Sequence, residues 1–371
     1  MCQDFQPLNR IVLSQAALDN NVRVLREAAG EIFPVIKANA YGHGIQQIAT
    51  MLQKHELPYL VVASYYEALD VKKVSAHQEV LVLGSIDAAN AHMLDADFTY
   101  ALYSLEFVKA LGRTNRNFKV HIEIDTGMSR HGVRPDELPE LIDILQSYDN
   151  LTVTGVMSHL ADADNAHDSS FTDSQTTIFD NAVEQLQNAG ITPQWIHLAQ
   201  SAGLAKVHSK YSNAARPGIA LYGVIDLEPS DPAYDALAAT QPVMSLYSRI
   251  GVLRHLTKGD KVSYGLRYEA PRDMTIGVLN MGYADFLPRD LSGLLTFRYQ
   301  DHELPQIGRI CMNHCMFDTN GLDLRLSDEI ELISSDRTAP NSIQSMRSLG
   351  SLFAYEFLVH INPEIERRIV D

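Results

Sequence analysis

Lys37 ends an apolar run, Phe33-Pro-Val-Ile-Lys37, and is followed by the turn-formers Asn39, Gly42 and Gly44. That order is how a buried strand delivers one side chain to a loop-lined mouth. An ammonium group there is costly unless it is paired or covalently used. The plain alternative is a lysine whose stem packs on the strand while its head reaches water. Other reactive side chains stand at the ends of later apolar runs: Glu123 and Arg130 after 119–124, His159 after 152–158, Ser201 after 195–199, and Arg216-Pro-Gly-Ile219 in 214–221. Tyr41 follows Lys37 at the first. Strand ends are also where loops turn polar, so position alone does not separate a catalytic rim from ordinary surface.

The elements that would position these groups follow a rhythm. Apolar or β-branched runs occur at 33–37, 59–63, 80–84, 98–102, 119–124, 152–158, 195–199 and 214–221, most of them separated by amphipathic, helix-length segments. Runs buried on both faces and alternating with helices predict a parallel sheet. About eight of them is the number that closes a (β/α)8 barrel, whose working residues cluster at the C-terminal ends of its strands; a doubly wound open sheet gives much the same string. Ahead of them, Ser14 is a plausible N-cap for a helix carrying Leu18, Val22 and Leu25, with Gly30 closing it. From roughly residue 240 the pattern changes to short, partly alternating segments at 245–253, 274–279, 293–299 and 328–333, with helical patterning only at 342–349 and 354–359. This predicts a mainly β domain over 241–371 after a barrel over 10–240, the first few N-terminal residues packing with the former.

At 371 residues and 46% hydrophobic the chain buries a large core. A net charge of -16, with no block of lysine or arginine, repels nucleic acid and anionic membranes and suits an enzyme of small molecules. No stretch approaches the roughly 18 apolar residues of a spanning helix. The N-terminus lacks a signal-peptide pattern, and Cys2, Cys311 and Cys315 make an odd total that argues against a disulfide framework, so the expected location is cytoplasmic. Cys311, His314 and Cys315 do not read as a metal site: on a strand 311 and 315 share a face while 314 points away, and no second ligand pair accompanies them. No phosphate-binding G-x-x-x-x-G-K-[ST] or G-x-G-x-x-G loop occurs.

The stretch Phe33–Gly44 resembles the pyridoxal-phosphate lysine motif of alanine racemases. Further motifs recur in order along essentially the whole chain: Asp125-Thr-Gly-Met-Ser-Arg-His-Gly132, Gly155-Val-Met-Ser-His-Leu-Ala-Asp-Ala-Asp164, His197-Leu-Ala-Gln-Ser-Ala202, Arg216-Pro-Gly-Ile-Ala-Leu-Tyr-Gly223, Val262-Ser-Tyr-Gly265, Met281-Gly-Tyr-Ala-Asp285 and Gly308-Arg-Ile-Cys-Met312. Any one is weak; seven in sequence are not.

The resemblance implies a barrel followed by a β domain, a head-to-tail homodimer and pyridoxal 5'-phosphate as cofactor. It implies L-alanine to D-alanine racemisation, supplying peptidoglycan in a bacterial source. Lys37 would carry the cofactor as a Schiff base and act as one base, and Tyr264 from the other subunit would be the second, on the opposite face of the substrate. Inverting a stereocentre needs a proton removed from one side and returned on the other, which one stationary group does not readily do; such acid–base help is worth roughly 10²–10⁴ in rate. Arg216 would face the pyridine nitrogen, and its permanently charged guanidinium would leave that nitrogen unprotonated. His159 would hydrogen-bond within the Arg216 and Tyr264 network. Tyr41, Ser201, Tyr355 and the N–H groups of Gly218 and Ile219 would hold the phosphate, although Ala354-Tyr-Glu-Phe follows the family pattern only loosely. Arg130 would touch the cofactor phenolic oxygen and the substrate carboxylate, Met312 would offer that carboxylate a backbone N–H, and Tyr283 would narrow the entry.

Two positions depart from the family. Where many members carry a carbamylated lysine this chain has Glu123, which is expected to position Arg130 through a charge-assisted hydrogen bond. Asn313 stands where aspartate is usual. Rival readings are a racemase of broader range acting on serine or longer side chains, a decarboxylase or lyase on the same barrel, and a non-catalytic cofactor carrier; the last resembles only the barrel, so the β domain with Tyr264 counts against it.

Overall fold

The computed structural model describes residues 6–350 and 353–371; Cys2 lies outside them. The chain opens with strand β1 (Asn9–Ser14) and a helix over Gln15–Ala29. Ser14 caps that helix by accepting the Ala17 N–H, and its buried stripe includes Leu18, Val22 and Leu25. Gly30 ends it with φ 76°, and its N–H donates to the Arg26 carbonyl.

Eight parallel strands follow: β2 (Glu31–Ile32), β3 (Leu60–Val62), β4 (Val80–Val82), β5 (Thr99–Leu102), β6 (Phe118–Glu123), β7 (Leu151–Met157), β8 (Trp195–Gln200) and β9 (Ala214–Arg216). They form one sheet in the order β2-β9-β8-β7-β6-β5-β4-β3. A parallel bridge between Val35 and Val61 joins its two ends, with Val61 N–H donating to Pro34 O at 2.9 Å and Ile36 N–H to Val61 O at 2.8 Å. The sheet therefore closes into the expected barrel. Each apolar run supplies one strand, with one local difference. The regular part of the first strand is at 31–32 and the run 33–36 makes only isolated ladder contacts, because Pro34 has no N–H to give. Strands β3, β4, β5 and β9 are buried throughout, since the sheet is covered on both faces.

The second sheet collects β10 (Met244–Leu256), β13 (Met274–Leu279), β14 (Thr296–Tyr299), β15 (His302–Ile307), β16 (Cys315–Asp318), β17 (Glu329–Ile333) and β18 (Glu366–Val370); a small hairpin of β11 (Lys261–Val262) and β12 (Tyr268–Glu269) stands apart. Strand β10 has a register shift between Ile250 and Val252, pairing with β1 and β17 up to Arg249 and with β13 from Ile250 onward. β1 lies between β10 and β18, so the strand that opens the chain belongs to this later sheet. Asn21, fully buried, ties the first helix to the crossing between sheets: its Nδ2 donates to Leu221 O at 2.9 Å and Gln241 O at 2.8 Å, and its Oδ1 accepts Gln241 N–H at 2.7 Å. Among the described residues no helix is long and apolar enough to cross a membrane.

Candidate active site

Directly after Lys37 the backbone winds the wrong way. Ala38, Asn39, Ala40 and Tyr41 all have φ between 49° and 53°, a left-handed turn that costs roughly 1–2 kcal/mol per non-glycine residue. Contacts from several elements hold it. Glu67 Oε1 accepts the Ala38 N–H at 2.6 Å while its Oε2 accepts Ala63 N–H at 2.8 Å. Asn39 Oδ1 caps the helix beginning at Ile45, accepting its N–H at 2.9 Å, and Arg367 of β18 donates to the Gly42 carbonyl at 2.8 Å. Backbone strain of this sort, over-determined by its surroundings, marks functional sites. It presents Lys37 at the rim in a partly buried position, where burial followed by the Arg130 charge lowers its amine below the usual lysine value, against an opposing pull from Glu67.

Arg216, at the end of β9, is 3% exposed. Its Nη1 donates to His197 Nδ1 at 2.6 Å and to His197 O at 2.8 Å; its Nη2 donates to Ser158 O at 2.5 Å and lies 3.5 Å from His159 Nδ1. Burial pulls the guanidinium down to about 10, so it keeps its charge at neutral pH. Burial, then the Arg216 charge, pushes His159 down to about 3, so it is neutral.

These groups meet the hydroxyls in one cavity of about 260 Å³, lined by Lys37, Tyr41, His159, Gln200, Ser201, Arg216, Gly218, Ile219 and Tyr355. Ser201 Oγ accepts the Gly218 N–H at 3.0 Å and the Ala220 N–H at 3.3 Å, so the Gly218 amide expected to be free is engaged. A Cβ at Gly218 would stand 2.5 Å from the Tyr41 hydroxyl; only glycine admits that approach. Burial pushes the Tyr41 phenol up to about 12 and raises Tyr355, so both remain hydrogen-bond donors across the physiological range. Their rings lie 5.9 Å apart.

The other sequence-predicted residues fall outside this cavity. Glu123 and Arg130 border an adjoining crevice with Ser158 and His159. The Glu123–Arg130 hydrogen bond expected from sequence is not made: Arg130 is exposed, and Glu123 Oε2 is buried without a partner among the described residues. Burial pushes the Glu123 carboxyl up to about 7, against the opposing pull of Arg216 and Arg130. Tyr264, in the turn of the β11–β12 hairpin, is 68% exposed, and Met312 and Tyr283, on loops of the second sheet, are 56% and 44% exposed. The latter two loops are interlocked, Tyr283 N–H donating to Cys311 O at 3.0 Å and Ala284 N–H to Met312 O at 2.9 Å. Cys311 is not on a strand as expected: its N–H donates to His314 O across a turn, and β16 begins only at Cys315. Asn313 is exposed in that turn.

Three residues of the site went unrecognised in the sequence. Glu67 carried a visible signal, since Ser64-x-x-Glu67 is capping-box spacing, but nothing local shows that it also reaches Ala38. His197 and Gln200 lie inside a motif whose pattern does not tell which side chain faces Arg216.

A family model described as the alanine racemase N-terminal domain matches residues 13–226, and one described as the C-terminal domain matches 243–369. Alanine racemase of Geobacter sp. (strain M21) is 31% identical over 373 residues, covering 97% of each chain. That of Methanococcus maripaludis is 30% identical, covering 95% of this chain and 96% of its own. Among solved structures, alanine racemase of Clostridium difficile 630 superposes with a TM-score of 0.91 at 25% identity, covering 99% of this chain and 97% of that one. The Bacillus anthracis enzyme with bound L-Ala-P gives 0.88 at 27%, covering 99% and 96%. Since both halves of the molecule match in one continuous order, the chain belongs to the alanine racemase family and is an amino-acid racemase, an isomerase.

Proposed function

We propose that the protein interconverts L- and D-alanine with pyridoxal 5'-phosphate in the barrel mouth, using Lys37 and Tyr264 of the partner subunit as the two bases. The observation that carries this is the meeting of Lys37, Tyr41, Ser201, Arg216 and Tyr355 around one cavity. The donor set fits the cofactor. An amine of lowered basicity suits covalent attachment; hydroxyls and amides suit a phosphate. Arg216 has no carboxylate hydrogen-bond partner, and its Nε–H has no partner among the described residues. Lys37 would be the attachment point, Tyr41, Ser201, Tyr355 and the Ile219 N–H would hold the phosphate, the Gly218 N–H joining them only if it exchanged its bond to Ser201 Oγ for one to the phosphate, and Arg216 would donate to the ring nitrogen. When bound, the cofactor would supply an electron sink for the pair left at the substrate α-carbon.

The chain's own residues do the rest. Lys37 Nζ, once neutral, takes or returns the α-proton on one face, and the Tyr264 hydroxyl serves the other. Arg216 keeps its proton, so a ring nitrogen placed against it would be hydrogen-bonded without being protonated. Arg130 and the Met312 N–H would orient the substrate carboxylate, with Tyr283 narrowing the entry and Glu123 acting on Arg130 once the second subunit covers the crevice. Tyr264 does not line its own chain's cavity, and it is exposed together with Leu266, Tyr283 and Met312. An aromatic and apolar patch of that kind suits burial against a second copy, and this supports a head-to-tail homodimer with shared sites. The functional division is a cofactor domain over 10–240 and a β domain over 241–371 that also takes in β1. In a bacterial cytoplasm the D-alanine would enter peptidoglycan.

Incubation with L-alanine in heavy water tests the reading. D-Alanine labelled at the α-carbon is expected, with borohydride reduction and peptide mapping locating the cofactor on Lys37. Tyr264→Phe should suppress interconversion by about 10²-fold or more. Undiminished racemisation in that variant would refute the two-base assignment.

A further inference from the structure

Behind Arg216 lies a second contact that the reaction as described leaves unused. His197 Nε2 is 2.8 Å from Nδ1 of His121 on β6, and both rings are fully buried in the barrel. The intervening strand β7 makes room for the pair: a Cβ at Gly155 would stand 2.5 Å from the His121 ring. Phe33 packs edge-on against His197 with centroids 5.0 Å apart, and Tyr59 against His121 at 5.1 Å.

The protons along this line follow from its cationic end. The Arg216 guanidinium only donates, so His197 Nδ1, at 2.6 Å, must present its lone pair. Burial and the Arg216 charge keep His197 neutral, which places its single proton on Nε2. That proton needs an acceptor, and His121 Nδ1 is there. His121, also held neutral by burial, then carries its own proton on Nε2, which has no partner among the described residues. An apolar ring at 121 would avoid this buried, unpaired N–H; a polar group kept at such a cost calls for an explanation.

We propose that His121 is a positioning residue for Arg216, acting through His197: by accepting the His197 Nε2–H it keeps the His197 Nδ1 lone pair turned to the guanidinium. The opposite tautomer would set N–H against N–H at 2.6 Å and displace Arg216 from its place over the cavity. The catalytic consequence rests on the reading of Arg216 as the partner of the cofactor ring.

Histidine-specific ¹⁵N labelling of the holoenzyme, with signals assigned by single substitutions, should show His197 neutral and protonated at Nε2. His121→Phe, which removes the acceptor, should lower kcat about tenfold with KM for alanine within about twofold, shift the cofactor absorption band and weaken cofactor retention. His121→Asn places an oxygen near the former Nδ1 and should restore most of each. A His197 protonated at Nδ1 or at both nitrogens overturns the proposal, as do kinetics and cofactor retention unchanged in His121→Phe, or Phe and Asn variants equally impaired. If His121→Phe does not fold, the wild-type tautomer and the Asn variant still decide. Arg216→Lys separates the two ideas: an unchanged cofactor spectrum there removes Arg216 from the cofactor ring, whereas the ¹⁵N result judges the histidine pair by itself.

Discussion

Glu67 holds the Ala38 amide at 2.6 Å and so fastens the left-handed turn that follows Lys37 to the end of β3. Its second oxygen accepts Ala63 N–H at 2.8 Å and Ser64 N–H at 3.2 Å, which leaves the carboxylate surrounded by three amide donors. A neutral amide cannot satisfy all three, because one of its ends is itself a donor. Glu67→Gln should therefore relax the turn, lowering kcat/KM by about 10- to 100-fold for a loss of roughly 1.5–3 kcal/mol of charge-assisted hydrogen bonding. Steady-state kinetics beside a cofactor titration would check this; a variant equal to wild type in both would exclude Glu67 from holding the turn.

Glu123 gives a pH dependence whose sign is fixed by its shift. Its folded-state value is raised from 4.5 to about 7, so the folded protein binds the proton more tightly than the unfolded chain does. The associated stability is complete below pH 4.5 and is lost as pH rises through 7, by roughly 3 kcal/mol in all. Glu123→Gln removes this titration. Urea denaturation should find the variant gaining on wild type between pH 5 and 8, while alanine turnover falls if the carboxylate orients Arg130. A stability difference that does not change with pH would show that Glu123 is not held protonated in the fold.

Asn21 joins the first helix to the segment that leaves the barrel through three hydrogen bonds in a fully buried position. Asn21→Ala leaves two carbonyls and an amide unpaired, and should destabilise the protein by about 2–4 kcal/mol. Chemical denaturation would measure the loss. A change below about 0.5 kcal/mol would mean that water takes over the three bonds.

Hydrophobic periodicity determined the architecture. Seven of the eight doubly apolar runs each supply one barrel strand and the first directly follows β2, while the four partly alternating segments beyond residue 240 fall on β10, β13, β14 and β17, because burial on two faces or one writes itself directly into local sequence. Ser14 and Gly30 were equally readable, since capping is settled within one turn of chain. The motifs named the chemical groups. Tertiary structure alone decided the rest. Of Ala38 to Tyr41 only Asn39 is of a type that visits left-handed backbone readily, and the turn persists because Glu67 and Arg367 reach it from 29 or more residues along the chain. β1 joins strands that come more than 200 residues later, a choice made by pairing partners and not by its own pattern. The same holds for His121 and His197, which are 76 residues apart in the chain and 2.8 Å apart in the barrel: a hydrogen bond between distant residues depends on where two strands come to lie, and no local spacing records it.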